Sequence, residues 1–276
     1  MVRLGSRRDA LAVTTLAGEV ARAYSATGAA WDDGPARLYG RLAAELVARS
    51  PIPLGGRRVL DLGAGTGAAG RAVAAVGGRV VALDAAFGML APGARRRPPA
   101  VVGDALALPL ADGAVDAVVA ACSLNHLPDP VAGLREARRV LAPDGAVLAS
   151  AYALDDSHPA RDAVEQAATD HGWSRPGWYA HVKADAVPRL ATPARAEAAG
   201  RAAGLRGVRA GPVRVPFPEL GAGDLVAWRL GMAHVAPFVA GLSRAELEDL
   251  VDDALARLGP EPPPLVRSMV VLVGRA

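Results

Sequence analysis

Two patterns of apolar positions divide the chain. Residues 9–24 and 35–49 have helical spacing. In the second segment Leu38, Leu42, Leu46 and Val47 share one face, while Arg37, Arg41, Glu45 and Arg49 lie elsewhere. Ser50-Pro51 ends that helix, because the residue before a proline avoids the helical region. The pattern then changes to short apolar runs alternating with alanine-rich stretches. It predicts strands over residues 58–62, 80–83, 100–102, 115–121 and 145–152, the last after the turn Pro143-Asp144-Gly145. Helices are predicted over 68–76, closed by Gly77-Gly78, from 87 to 90, and over 131–141.

Strands alternating with helices from 57 to 152 imply a parallel sheet with helices on both faces. The strands are apolar on both sides, as buried parallel strands must be. The regularity fades from 155 to 190, a stretch read as irregular that contains Trp173, Trp178 and Tyr179. Beyond it the sequence predicts a capped helix over 192–203, a strand over 208–217, helical structure over 220–258 and a last strand over 266–273. The expected architecture is one α/β domain with a Rossmann-like, seven-stranded, mostly parallel sheet whose last strand is antiparallel. Residues 1–50 form a helical lid segment, 51–153 the binding core, and 154–276 lid insertions and the completing strands.

Composition narrows the class. Hydrophobic residues make up 51% and charged residues 21%, which excludes disordered and fibrous chains. No apolar run approaches the length of a membrane span. Lys183, Asn125, Ile52 and Gln166 are each the only residue of their type, and arginine replaces lysine throughout, as GC-rich coding produces. The net charge is only +3, so the high pI carries little information about partners. The basic run Arg95-Arg96-Arg97, between Gly93 and Pro98-Pro99, reads as a solvated loop, and nothing resembles a nucleic-acid-reading module. The single cysteine, Cys122, excludes an intrachain disulfide and fits a reducing compartment. Arg3, Arg7 and Arg8 precede the apolar residues 10–16, but Glu19 and Arg22 follow at once. The expectation is a helix start in a cytoplasmic protein.

The sharpest signal is Val59-Leu60-Asp61-Leu62-Gly63-Ala64-Gly65-Thr66-Gly67, a strand running into a glycine turn and then a helix. Such a turn lets a ligand touch backbone, and the helix start offers free N–H groups. Gly65, Gly67 and Gly70 also satisfy G-x-G-x-x-G, which raises a nicotinamide dinucleotide as an alternative. Asp61 argues against it: a pyrophosphate there meets a like charge, whereas an ammonium or sulfonium is welcomed. Asp84, ending the second predicted strand, suits ribose hydroxyls in either case. Gly103-Asp104-Ala105 follows the third strand and offers a polar group to an adenine edge.

These residues resemble the class I S-adenosylmethionine-dependent methyltransferases, in particular the small-molecule branch of quinone and sterol methyltransferases. Asp61–Gly67 resembles that family's D-x-G-x-G-x-G. Leu83-Asp84 with Gly88-Met89-Leu90 resembles D-x-S-x-x-M-L. Gly103-Asp104-Ala105 with Leu108-Pro109 and Asp116 resembles G-D-A-x-x-L-P…F-D, and Arg139–Gly145 resembles R-V-L-K-P-G-G. The likeness covers residues 55–152 closely. Ala85-Ala86 stands where Asp-x-Ser is commoner, and Val115 where phenylalanine is usual.

The resemblance implies that Asp61, Gly63, Ala64 and Gly65 hold the methionine part of S-adenosylmethionine and that Asp84, Ala85 and Met89 lie at the ribose. It puts Asp104 and Ala105 at the adenine, Ala121 and Cys122 on the floor, and Tyr24 closing from the N-terminal segment. His126, after the fourth strand, is the candidate general base, since a base helps when the acceptor is a phenol, hydroxyl or acidic carbon. Its other reading is a loop histidine bonded to backbone. Asn125 beside it, and Trp31, Trp178 and Trp228 from the aromatic flanks, are candidate contacts to a small, largely apolar or aromatic acceptor. No histidine spacing suits a metal. Three alternatives stay open: a non-methylating enzyme that keeps the cofactor and catalyses cyclisation or decarboxylation, a nicotinamide oxidoreductase, and a non-catalytic binding protein. Oligomeric state is undetermined by sequence.

Overall fold

The computed structural model describes residues 7–276 apart from 93 and 96, with side chains from residue 16 onward. Arg3, and Gly93 and Arg96 of the basic run, lie outside the described residues. Three N-terminal helices, α1 (Arg7–Ser25), α2 (Gly28–Asp33) and α3 (Ala36–Val47), precede the alternating unit. That unit runs β1 (Arg58–Leu62), α4 (Ala68–Ala75), β2 (Arg79–Asp84), α5 (Phe87–Leu90), β3 (Ala100–Val102), β4 (Val115–Ala121), α6 (Pro130–Val140) and β5 (Leu141–Tyr152). There follow α7 (Pro159–Asp170), α8 (Gly177–His181), α9 (Pro193–Ala202), β6 (Arg206–Phe217), α10 (Ala222–Leu230), α11 (Ala236–Val239), α12 (Arg244–Leu258) and β7 (Leu265–Arg275).

The strands form one seven-stranded sheet in the order β3-β2-β1-β4-β5-β7-β6. The ladders between β1 and β5 are parallel, and β7 runs antiparallel to both β5 and β6. This is the Rossmann-like sheet that the sequence predicts, with β7 as its reversed strand. The two-residue period of the strands sorts side chains onto two cores. Val59, Ala117, Val119 and Leu148 meet Leu38, Leu42 and Leu46 of α3 and Val73 of α4. Leu60, Leu62, Val118 and Val147 meet Leu134, Ala137 and Val140 of α6 and Ala196 of α9. The helix after β1 and the helix after β4 therefore lie on opposite faces. Their divergence opens a crevice at the carboxyl ends of these adjacent strands, where ligands of such folds bind.

One reading needs correction. Residues 155–190 are not irregular: α7, α8 and a π-helical turn at Val182–Ala186 occupy most of them. The α7 signal is present as Ala160, Ala163, Val164, Ala167 and Ala168, all buried at helical spacing. Four of the five are alanines, so the face has little hydrophobic contrast. Residues 220–258 are helical as expected, in three pieces broken around Gly231 and before the capping box of Ser243 and Glu246. The turn at Pro143-Asp144-Gly145 is built as a kink inside β5: Asp144 has φ +62°, and the ladder to β4 shifts register there.

The α1–α2 corner sits backbone to backbone on α5. A Cβ on Gly88 would fall 1.9 Å from the Ser25 carbonyl oxygen, and one on Gly28 1.9 Å from the Gly88 carbonyl oxygen. Backbone cannot step aside as a flexible side chain can, so Gly88→Ala is expected to lift the corner at a cost of about 1–3 kcal/mol. Faster limited proteolysis between α1 and α2, with the sheet intact by circular dichroism, checks this.

Candidate active site

The glycine loop after β1 is tied to the second strand. Gly63 and Ala64 N–H donate to the Leu83 carbonyl at 2.8 and 3.0 Å. Gly65 N–H donates to Asp84 Oδ2 and Ala86 N–H to Asp84 Oδ1, each at 2.8 Å. Asp84 thus fixes the loop and presents its carboxylate where β2 ends; burial pushes its pKa up, against those two bonds. Gly63 has φ +70°, and a Cβ there would lie 2.3 Å from Ser123 Cβ, so only glycine lets the loop pass the end of β4.

Asp61 points from β1 toward α4 and is 1% exposed. Its Oδ2 accepts from Gly70 N–H at 2.7 Å, and its Oδ1 has no partner among the described residues. Burial lifts its carboxyl to about 7, with the neighbouring Asp84 adding to the rise. An unpartnered buried carboxylate oxygen is costly. A cation at Oδ1 would relieve that cost.

A cavity of about 180 Å³ brings most of the predicted residues together: Asp61, Gly63, Ala64, Gly65, Asp84, Ala85, Met89, Asp104, Ala105, Ala121, Cys122, Tyr24, Trp31 and His126 all line it. Asp104 is exposed and uses Oδ1 to cap Leu106 N–H at 2.8 Å. Cys122 has φ +51°, uncommon for a residue with a Cβ, and its N–H donates to Ser150 Oγ at 3.1 Å. Burial pushes its thiol up to about 11, so it is not a thiolate nucleophile at neutral pH.

His126 lines the mouth, with Nε2 3.4 Å from the Tyr24 hydroxyl and the two rings edge to face. Its Nδ1 is buried with no partner among the described residues. Burial first, and then the charge of Lys183, hold its pKa at about 4. The imidazole is therefore neutral and free to accept a proton at pH 7, though as a weak base.

Three predicted acceptor contacts lie elsewhere. Asn125 is 2% exposed but does not line the cavity. Trp178 stands outside it, its ring 6.3 Å from that of Tyr24. Trp228 is 2% exposed and packs with Leu42 and Leu225 in the core beneath α3. Its place on the inner face of α10 removes it from the cavity wall. Sequence reasoning missed Tyr39, which lines the cavity with its ring 4.9 Å from Trp31. It shares a helix with the core leucines, and nothing in the spacing separates a wall position from a core one. His158 caps α7 through Nδ1 and reaches the Pro263 carbonyl through Nε2 at 2.8 Å, a structural role. No group of three metal-ligating side chains occurs among the described residues, and no helix among them is long and apolar enough to cross a membrane.

Comparison with known proteins agrees with this geometry. Residues 60–149 match a family model described as a methyltransferase domain. A demethylmenaquinone methyltransferase of Mycolicibacterium vanbaalenii is 39% identical over 148 residues, 54% of this chain and 63% of that protein. The chain thus spans less than two thirds of that relative's length. Among solved structures, the YcgJ protein of Bacillus subtilis superposes with a TM-score of 0.53 at 17% identity, over 85% of this chain and 97% of the other. Phosphoethanolamine N-methyltransferase 2 of Haemonchus contortus, in complex with S-adenosyl-L-methionine, gives 0.53 at 18% identity, over 84% and 51%. At these identities the structures establish the fold.

Proposed function

We propose that this chain transfers a methyl group from S-adenosylmethionine to a small, largely apolar or aromatic acceptor, a reading supported by the match of residues 60–149 to a methyltransferase domain. The 39% identity to a demethylmenaquinone methyltransferase supports a quinone-like acceptor in bacterial biosynthetic metabolism. The observation that carries the cofactor assignment is the buried, unpartnered Oδ1 of Asp61, a residue that lines the cavity. The donor set fits a ligand that is cationic at one end and a nucleoside at the other. Asp61 and the backbone of Gly63 to Gly65 hold the methionine part, Asp84 the ribose hydroxyls, and Asp104 with Ala105 the adenine edge.

When bound, the cofactor supplies the activated methyl group on a sulfonium that is already a good leaving group. The protein's part is to align the acceptor and exclude water. Tyr24, Trp31 and Tyr39 form the aromatic wall that does both. His126 is the group placed to take a proton from the acceptor, and the Tyr24 hydroxyl at Nε2 orients its ring. Incubation with S-[methyl-³H]adenosylmethionine and a panel of naphthols and quinols tests the reaction. Tritium in the organic product is expected; products formed without methyl transfer contradict it.

Asp61 gives the cofactor affinity a pH signature. Its free carboxyl titrates at about 7 because of burial. Binding a cation requires the ionised form and lowers that pKa. Affinity for S-adenosylhomocysteine is therefore expected to fall about tenfold per pH unit below 7 and to level off above it. Calorimetry in buffers of different ionisation heat should show a proton released on binding at about pH 6. In Asp61→Asn both effects vanish.

A further inference from the structure

Each of the three N-terminal helices sends one aromatic ring to the cofactor cavity: Tyr24 from α1, Trp31 from α2 and Tyr39 from α3. The centroids of Tyr24 and Trp31 are 5.7 Å apart at an interplanar angle of 59°, and those of Trp31 and Tyr39 4.9 Å apart at 45°. Neither pair is stacked. Tyr179 and His234, by contrast, lie 3.7 Å apart and within 5° of parallel, each covering a face of the other. Tilted rings keep part of their faces for a ligand. Two of the three are steadied by further edge-to-face contacts, Tyr24 with His126 at 5.4 Å and Tyr39 with Tyr152 at 6.4 Å.

The rings stand beside the glycine loop. A Cβ on Gly65 would fall 3.3 Å from Met89 Cε, and Met89 packs in one cluster with all three rings. Gly65 N–H is itself bonded to Asp84 Oδ2 at 2.8 Å. With the methionine part of the cofactor at Gly65 and its ribose at Asp84, the sulfur that joins them belongs at this junction.

The charges along the cavity have one sign. Asp61, Asp84 and Asp104 line it. The chain has 31 lysines and arginines, yet none of those described does. His126 is kept neutral there, burial holding its pKa at about 4. An apolar acceptor needs only apolar area, which leucine or valine would supply as well. Aromatic faces also carry a negative quadrupole potential, and beside carboxylates they favour a positive charge.

We propose that Tyr24, Trp31 and Tyr39 form a cation-recognising cage for the sulfonium, so that the protein holds S-adenosylmethionine more tightly than S-adenosylhomocysteine. The inference rests on the cofactor reading and adds to it a choice between two charge states of one ligand. Both compounds carry the ammonium assigned to Asp61, so Asp61 does not make that choice. When the methyl group leaves, the electron pair of the broken bond stays on sulfur, which becomes a neutral thioether. The cage then loses its hold, which favours release of the spent cofactor and limits inhibition by it. All three rings precede the matched residues 60–149, so the family match does not assign them.

Calorimetric titration of the full chain with S-adenosylmethionine, S-adenosylhomocysteine and sinefungin, in which an amine-bearing carbon replaces the sulfonium, tests the cage. Wild type is expected to bind the two cationic ligands about tenfold or more tighter than S-adenosylhomocysteine. Tyr39→Leu and Trp31→Leu should each cut that preference by about threefold to tenfold, through weaker binding of the cations alone. Tyr39→Phe keeps the ring and should keep the preference. Trp31 is 6% exposed and its loss endangers folding, so the half-buried Tyr39 decides the outcome if Trp31→Leu fails to melt cooperatively. Equal affinities in wild type, or a preference undiminished in Tyr39→Leu, overturns the cage and leaves the cofactor reading standing. Sinefungin bound no better than S-adenosylhomocysteine also overturns it, since the gain would then come from the methyl group and not from the charge. Binding of neither S-adenosylmethionine nor S-adenosylhomocysteine overturns the cofactor reading, and the cage with it.

Discussion

Replacing Asp84 by asparagine should weaken S-adenosylhomocysteine binding by about a hundredfold or more while leaving the fold intact. Each Asp84 oxygen accepts one backbone N–H, from Gly65 and from Ala86. Asparagine has one acceptor oxygen, so its amide NH₂ would face one of those two donors. The glycine loop then loses an anchor, and on the proposed reading the ribose hydroxyls lose a charged acceptor. A hydrogen bond to a charged group is worth about 1.5–3 kcal/mol, and each 1.4 kcal/mol is tenfold in affinity. Two such losses give the expected drop. Calorimetric titration of wild type and Asp84→Asn, with matching thermal melts, checks it. An affinity within threefold of wild type would show that the carboxylate is only a turn-capping group.

Glu165→Ala is expected to be the most destabilising single change, at about 3–5 kcal/mol. Glu165 Oε1 accepts from Arg229 at 2.9 Å and lies 3.5 Å from His234 Nε2, while Oε2 accepts from Arg175 at 2.8 Å. Burial raises its pKa, but His234, Arg229 and Arg175 outweigh that and hold it at about 2. Removing the carboxylate strands a buried guanidinium between α7 and α10, where Val164, Ala168, Val226 and Leu230 form the satellite core with α12. The exposed Arg175 contributes little to this cost. Glu165 is depressed from its ordinary value, so its stabilisation is present above about pH 4.5 and is lost as pH falls toward 2. His234, held at about 4 chiefly by burial, acts in the same direction: it stabilises above its ordinary 6.5 and costs stability as it is forced to charge below. The denaturation midpoint of wild type should fall steadily below about pH 6. Glu165→Ala should start lower and show a shallower acid limb.

Much of the core was legible because its chemistry is local. β1, α5, β3 and β4 have the bounds that the apolar runs predict; β1 and β4 are central strands buried over most of their length, whereas β3, on the sheet edge, is largely exposed. Asp61, Gly63, Asp84 and Asp104 could be placed because strand ends in such a sheet converge on one crevice. The flanks were less legible. Alanine serves equally in core helices, surface helices and loops, so α7 carries almost no contrast. Trp228, an expected acceptor contact, packs in the core, while Tyr39 lines the cavity: helical spacing does not say which aromatic the cavity reaches. The positive φ of Cys122 and the meeting of Tyr24, Trp31 and Tyr39 at one cavity depend on long-range packing, which no local pattern encodes.

The central claim is that the β1–β4 crevice is shaped and charged for a cationic nucleoside. It is tested most directly by titrating the purified protein with S-adenosylhomocysteine and, separately, with NADH. On the proposed reading both ligands present adenine and ribose to Asp104 and Asp84, but only the first brings an ammonium to the buried Asp61. Micromolar binding of S-adenosylhomocysteine with no heat from NADH is the predicted result. Absence of S-adenosylhomocysteine binding, or tighter binding of NADH, would contradict it.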